Sequence, residues 1–359
     1  MRKRRQQSTG VTLLVIAIVL VVALYRWATT PTPPTFPLPT AGGDGYLFCF
    51  WNVENLFDDQ DDKRGQADEE YDNWFSRDPA ALQLKLDRLT EAILKLNDGK
   101  GPEILGICEV EGNRAADLLR EALNKKLTDE TLHYRNLLMK EVAVGRHIAP
   151  AIITRLPVKG NRTRLLGKQM RILEGHIDAA GHDLVVVVSH WTSRLTDETG
   201  ERRAKYADQI YGEYKAMYLS NPKVDLLVCG DFNDPPDALS VTGHLRAVGD
   251  ADRVRKSTST EPLLLGLLAD KDAKTGFGTL TYQNKWFIYD QICISPGLLD
   301  TEGWTCRPDS VQVVNSLTRP GDKQRRPWRF GGEKEQGERG YSDHLPVTVR
   351  LKVQSSKSE

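Results

Sequence analysis

From Tyr46 onward, short apolar runs alternate with stretches of helical periodicity, and each run ends in polar residues. The runs are YLFCFWNVEN from Tyr46, EILGICEVE from Glu103, LVVVVSHW from Leu184, DLLVCGDFND from Asp225 and FIYDQICIS from Phe287. Their near-continuous Val, Ile, Leu and Phe content predicts strands covered on both faces, and polar groups gathered at the strand ends predict a cleft there. Between the first two runs, Ser76 or Asp78 can cap a helix with Pro79 at its first position. Leu82, Leu86, Leu89, Ile93 and Leu96 follow at helical spacing and give it a core-facing side. A second helix is expected from about Asn113 to Leu127, and a third from Glu201 to Leu219, ending before Asn221-Pro222. The alternation predicts an α/β architecture with mixed sheets. No repeat period is visible, and the long Arg-, Lys-, Gly- and Glu-rich loop from Thr318 to Gly340 is expected to be functional or mobile.

The N-terminus follows a different pattern. Arg2, Lys3, Arg4 and Arg5 precede an apolar stretch from Val11 to Tyr25, followed by Arg26, Trp27 and a Pro-rich segment from Thr30 to Thr40. No small-x-small cleavage site follows the stretch, and Trp27 suits a membrane interface, so residues 1–28 are expected to be an uncleaved signal-anchor. The basic cluster then stays in the cytoplasm and residues 29–43 form a semi-rigid spacer. The folded domain, residues 44–353, lies outside the cytoplasm, and 354–359 form a polar tail. The alternative, a cleaved secretion signal, delivers the domain to the same side.

Composition changes this picture only locally. Lys plus Arg and Asp plus Glu both number 49 in 359 residues, so the whole-chain charge gives no bulk attraction to nucleic acid or to an anionic surface. Any recognition of phosphates must then be local. Five cysteines are an odd set; Cys49, Cys108, Cys229 and Cys293 lie inside apolar runs, which argues against a disulfide framework, and no zinc-type spacing occurs. No feature implies a protein partner, and a monomer is expected.

The candidate chemistry lies at the ends of the runs: Asn52 and Glu54, Glu109 and Glu111, His190, Asp231 with Asn233 and Asp234, Asp290, then Asp343 and His344. Carboxylates and amide oxygens are hard ligands that suit Mg²⁺ or Mn²⁺, and several acids converging on one cleft repel one another unless a cation compensates them. Any one of these motifs, taken alone, reads equally well as a turn or helix cap. Taken in order, WNVEN, CEVE, SHW, GDFND, YDQ and SDHLP resemble the endonuclease/exonuclease/phosphatase superfamily, and SHWTSR with CEVEG is most similar to a bacterial branch of unassigned substrate.

The resemblance implies the deoxyribonuclease-I-like fold, two packed mixed β-sheets flanked by helices in four layers, and metal-dependent hydrolysis of phosphodiesters. It implies a metal side of Asn52, Glu109 and Asp343, with Glu54 a nearby metal-organising acid, and prefers Glu109 to Glu111. It further implies that Asp231 and Asn233 position water and hold phosphate oxygens, that His190 donates to developing negative charge, and that His344, oriented by Asp290, contacts the scissile phosphate. Many members of the superfamily place a catalytic tyrosine or acid in the segment that here reads VAVGRHIAPAIITRLP. Neither is present, and Arg146 and His147 are the candidates to replace it as phosphate contacts.

On the substrate side, Arg194 is a candidate phosphate contact. The basic-aromatic run Lys323–Phe330, KQRRPWRF, has a composition that can stack a base or form an ordinary loop. Three functions follow: an extracytoplasmic nuclease, a phosphodiesterase or phosphatase for lipid head groups or small phosphoesters, and a catalytically inactive binding module on the same fold.

Overall fold

A computed structural model describes residues 45–354 except 144, 259, 272 and 274–277. The expected anchor, the Pro-rich linker and all of the polar tail beyond residue 354 lie outside the described residues. Among the described residues, no helix is long and apolar enough to cross a membrane.

The strands are β1 (Tyr46–Leu56), β2 (Ile104–Val110), β3 (Asn136–Met139), β4 (Ala149–Thr154), β5 (Arg164–Leu165), β6 (Ile172–Ala179), β7 (His182–His190) and β8 (Leu226–Asp231). They continue with β9 (Ala247–Val248), β10 (Leu264–Gly266), β11 (Leu280–Tyr282), β12 (Lys285–Phe287), β13 (Asp290–Ile294), β14 (Trp304–Val313) and β15 (Val347–Val353). The helices are α1 (Glu69–Arg77), α2 (Pro79–Leu94), α3 (Asn113–Lys126), α4 (Glu201–Ser220) and α5 (Ala251–Arg255). One sheet has the order β14-β15-β1-β2-β4-β3 and the other β5-β6-β7-β8-β13-β10-β9, while β11 and β12 form a separate hairpin. Both large sheets are mixed. The parallel pairs are β1 with β2 in the first, and β7 with β8 and β9 with β10 in the second, among antiparallel neighbours.

The two-sided burial expected of the apolar runs is what the packing shows. Along β1, Phe48 and Phe50 point into a core between the sheets with Val186, Val188 and Cys229, whereas Cys49 and Trp51 point outward to Leu86, Leu89 and Ile93 of α2. The outer face of the second sheet, with Val185, Val187 and Val228, is covered by Tyr206, Ile210 and Tyr214 of α4. Four layers result: helices, sheet, sheet and helix. All five cysteines are free thiols and the four in the apolar runs are buried.

The helix signals are met locally. The Asp78 side chain accepts from the N–H groups of Ala80 and Ala81, with Pro79 starting the helix, so Asp78 rather than Ser76 is the cap. At the start of α4 the Asp197 carboxylate accepts from the N–H groups of Arg202 and Arg203, after a left-handed turn at Gly200. Helix α1, the two edge strands β3 and β14, and β6 were not legible as elements in the apolar pattern.

Candidate active site

Strand direction and register bring the polar ends together. Parallel β1 and β2 put Asn52 beside Cys108, with Glu109 next in the chain, and parallel β7 and β8 set His190 opposite Asp231. Antiparallel β13 starts where β8 ends, so Asp290 also pairs with Asp231. Strand β15 runs against β1 with Val347 opposite Phe50, which delivers Asp343 and His344 to the same end. The Ser342 hydroxyl donates to the Asn52 carbonyl (2.7 Å), and the Trp51 indole N–H donates to the His344 carbonyl (2.9 Å), fixing that segment on β1. Register shifts interrupt both β1 and β2 here. Glu54, Asn55, Glu109 and Asn233 all adopt positive φ, between 51° and 63°, a conformation that costs energy outside glycine and re-aims side chains into the cleft.

Asp231 lies at the centre. Its Oδ1 accepts from the Asn233 N–H (2.9 Å), and its Oδ2 accepts from the Asn52 amide (3.2 Å) and faces His190 Nε2 at 3.7 Å and His344 Nε2 at 3.9 Å. Burial pushes its carboxyl up to about 7; the His344 charge opposes this, and the Asp290 and Glu109 charges add to it. A carboxylate held there is matched to taking a proton from water near neutral pH. The two histidines divide. Burial alone would lower the His344 pKa, but the charges of Asp290 and Asp231 and the 2.7 Å bond from Nδ1 to Asp290 hold it well above its ordinary value. His190 is held well below its ordinary value by burial and by the neighbouring Arg171, Arg146 and His344 charges.

Glu109 accepts from the Asn52 amide (3.0 Å) and the Asn55 N–H (3.1 Å) and faces His190 Nε2 at 3.7 Å. Glu111, two residues on, accepts from the Asp58 N–H and pairs with Arg64, away from this centre. The Asn52 oxygen accepts from the Glu54 N–H, and its amide nitrogen bridges Glu109 and Asp231, so it spaces two carboxylates. Glu54 differs from expectation: Arg329 and the N–H groups of Phe330 and Gly331 occupy its carboxylate, so it clamps the 318–340 loop instead of organising a metal. Asp343 lines a pocket with Arg329 and Arg339, its carboxyl pushed up to about 7 by burial and then by the Glu54 and Glu109 charges.

The donor set fits a hard divalent cation. Glu109, His190 and Asp231 each bring a ligand atom within 4.8 Å of the others, as do Asp231, Asp290 and His344. The buried Asp290 Oδ1 and His190 Nδ1 have no hydrogen-bond partner, and a cation would relieve the crowding that raises Asp231 and Asp343.

A cavity of about 1390 Å³ opens over this centre. Arg194 lines it but donates to Asp234, which also holds the buried Arg203 (2.8 Å) and Ser240 (2.6 Å); Arg194 is thus tethered before any substrate arrives. Asn233 lines it too and donates an amide N–H to the Trp191 carbonyl. Arg146 reaches the cavity while paired with Asp68, whereas His147 is bound to Arg64 and Asp68. The basic-aromatic run is not a stacking platform. Phe330 is buried against Trp74 and Phe75, and Trp328 packs on Tyr341 and under Arg88.

Sequence reasoning missed two cations. Arg171 lines the cavity, donates to the Trp191 carbonyl (3.3 Å) and bears on His190; nothing in its polar segment marks it. Lys85, fully buried between Leu82 and Leu86 on α2, donates to the Tyr341 carbonyl (3.2 Å) beneath Asp343. Burial pulls its pKa down to about 8 against the Glu54, Asp343 and Glu109 charges. A lone lysine on an otherwise apolar helix face was the one signal for it.

No curated protein matches the chain in sequence. Among solved structures, a mannosyl-6-phosphatase from Bacteroides thetaiotaomicron is 16% identical with a TM-score of 0.50, over 85% of this chain and 99% of that one. A truncated TDP2 from Caenorhabditis elegans is 15% identical (TM-score 0.49; 88% and 99%). A beta toxin from Staphylococcus aureus with bound magnesium ions is 13% identical (TM-score 0.48; 85% and 99%). At these identities the likeness is one of fold. The profile of the endonuclease/exonuclease/phosphatase family matches residues 47–353. With nearly the whole described chain covered, the protein belongs to the endonuclease/exonuclease/phosphatase family.

Proposed function

We propose that the chain is a Mg²⁺- or Mn²⁺-dependent phosphodiesterase, acting as a nuclease outside the cytoplasm. The observation that carries this reading is buried Asp231 set between His190 and His344, at 3.7 and 3.9 Å, on the floor of a cleft lined by cations. Asp231 orients the attacking water and accepts its proton. His344, held in one orientation by Asp290, contacts a non-bridging phosphate oxygen, and His190 and Arg171 face the charge that builds on the others. Glu109, with Asp343 behind it, would hold the cation, which when bound neutralises the phosphate and stabilises the leaving oxygen. Asn52 keeps Glu109 and Asp231 apart.

The nuclease reading is preferred to one on lipid head groups or small phosphoesters because the cations lining the cleft exceed what one phosphate requires. The inactive-module reading loses ground because the acids and both histidines converge with unmet hydrogen-bonding capacity. The extracytoplasmic placement rests on the basic-apolar N-terminus and the Pro-rich spacer.

The test is a substrate panel on the full chain in detergent, stripped with EDTA and reloaded with Mg²⁺ or Mn²⁺. It compares single-stranded and plasmid DNA, phospholipid and an aryl phosphodiester. Metal-restored cleavage of DNA is expected; hydrolysis undiminished by thorough chelation would overturn the reading.

A further inference from the structure

The second sheet places two different structures on either side of the reaction centre. Its strand order runs β6-β7-β8-β13, and the centre sits on His190 of β7 and Asp231 of β8. The loop that feeds β6 carries Lys168 and Arg171; the hairpin β11-β12, which feeds β13, carries Tyr282, Lys285 and Phe287. The two therefore flank the centre from opposite ends of this four-strand run. The loop is joined to helix α4, because the Arg171 N–H donates to the Tyr206 hydroxyl (3.3 Å), and the start of that helix presents Arg202 and Lys205 to the same cavity. The hairpin is joined to the centre by a bridge between Leu280 and His344.

The charges on the loop side are uncompensated. Arg146, Arg164, Arg203 and Arg329 each hold a carboxylate. Among the described residues no ion pair is formed by Lys168, Arg202 or Lys205, all three exposed on the cavity wall. A chain with equal numbers of cations and anions has thus left these three, with Lys285 of the hairpin, free of ion pairs beside a centre that already has His344 and Arg171 for one phosphate. A cleft walled by one sign of charge concentrates a polyanion and holds its register.

Taking the phosphodiesterase reading as its basis, we propose that Lys168, Arg202 and Lys205 form a subsite for a second, non-scissile phosphate. The substrate is then a phosphodiester strand lying across the strand ends, with its next phosphate toward α4 and a base toward Tyr282 and Phe287 of the hairpin. Aromatic faces beside point charges are what single-stranded nucleic acid requires, and the contacts carry no base preference.

The experiment uses the full chain in detergent with Mg²⁺. It measures kcat and KM for an aryl phosphodiester with one phosphate and for single-stranded oligonucleotides of increasing length, in the wild type and the double variant Arg202→Gln, Lys205→Gln. Both residues are exposed and outside the catalytic group, and circular dichroism checks the fold. In the wild type, kcat/KM is expected to rise once the oligonucleotide gains a second phosphate. In the variant, kcat/KM on oligonucleotides is expected to fall about tenfold or more, mainly through KM, with the salt slope shallower by about 1.4, at about 0.7 per lost contact on a single strand. The aryl phosphodiester is expected to be cleaved at the wild-type rate. Equal losses on both substrates, no loss on either, or no dependence on oligonucleotide length overturns the subsite while leaving the phosphodiesterase reading intact. Absence of metal-dependent hydrolysis of every substrate by the wild type fails that reading, and the subsite falls with it.

Discussion

Strand β7 has a histidine with two carboxylates near each end, and the two groups are wired differently. Near its start, His176 of the neighbouring strand is buried between Asp183 (Nδ1, 3.0 Å) and Glu174 (Nε2, 3.3 Å), and both ring nitrogens are used. The acids are neutralised in turn: Arg164 grips Glu174 through two bonds of 2.8 and 3.0 Å, and Arg162 reaches Asp183 at 2.7 Å. Beyond its other end, His344 is also buried between Asp290 and Asp231, but only Nδ1 is bonded; Nε2 stands 3.9 Å from Asp231 and opens on the cavity. Among the described residues no arginine is paired with Asp231 or Asp290, and Asp290 Oδ1 has no partner. Burial, residue types and a raised histidine pKa are common to both groups. Asp183 Oδ1 at the closed end also lacks a hydrogen-bond partner, but the Lys159 ammonium stands 3.4 Å from it. Among the described residues, what separates structure from chemistry is a pair of carboxylates with no arginine or lysine beside them and a ring nitrogen left open on the cavity.

The largest expected effect breaks the comparison at its open end. His344→Ala and Asp231→Asn should each lower kcat on an aryl phosphodiester by about a hundredfold or more, since each removes a charge or base facing the reacting phosphate. Thermal melts should show unchanged or higher stability for Asp231→Asn, because a carboxylate held near a pKa of 7 by burial is strain kept for function. Full activity in either variant would take that residue out of the mechanism. The closed end should behave the opposite way. His176→Ala leaves two buried acids short of a donor and is expected to cost about 1–3 kcal/mol in urea denaturation, with kcat within about twofold of wild type. A large activity loss at unchanged stability would dissolve the distinction between the ends.

The contrast also explains what could be read from the sequence. The apolar runs were legible because burial on both faces leaves few polar positions, as in β1, where Phe48 and Phe50 serve one core and Cys49 and Trp51 another. Strand β14 was not, because its exposure varies along its length and Pro308 interrupts it, at an edge where the ladder with β15 shifts register between Arg307 and Gln312. The strand-end acids were legible as a set, and the preference for Glu109 over Glu111 came from family resemblance; a left-handed φ at Glu109 does the separating in space. Glu54 was misjudged because its partners, Arg329 and the Phe330 and Gly331 amides, lie far along the chain in a loop that carries no period. The same tertiary packing buried Phe330, which composition alone offered for stacking. Arg171 and Lys85 illustrate the limit: a cation's meaning depends on which carboxylates it fails to meet, and that is a property of the fold.

The smallest expected effect is the pH dependence of the closed end. Burial pushes His176 down, but its bonds to Asp183 and Glu174 and the Asp183 charge outweigh that and raise it above 6.5. Burial pushes Asp183 up, but the His176 bond and the His176, Lys159 and Arg162 charges hold it at about 2, below 3.8. A raised histidine stabilises fully below its unfolded value and loses that contribution as pH climbs through its folded one; a depressed carboxylate stabilises above its unfolded value and loses that as pH falls through its folded one. The stability difference between wild type and His176→Ala should therefore be greatest from about pH 4.5 to 6.5. It should shrink above that window as His176 deprotonates and below it toward about pH 2. Urea midpoints of both proteins across the range measure it, and a difference that instead grows as pH rises to about 6.5 and stays flat above would show that His176 is held neutral, so that the two ends of the strand would differ in charge as well as in wiring.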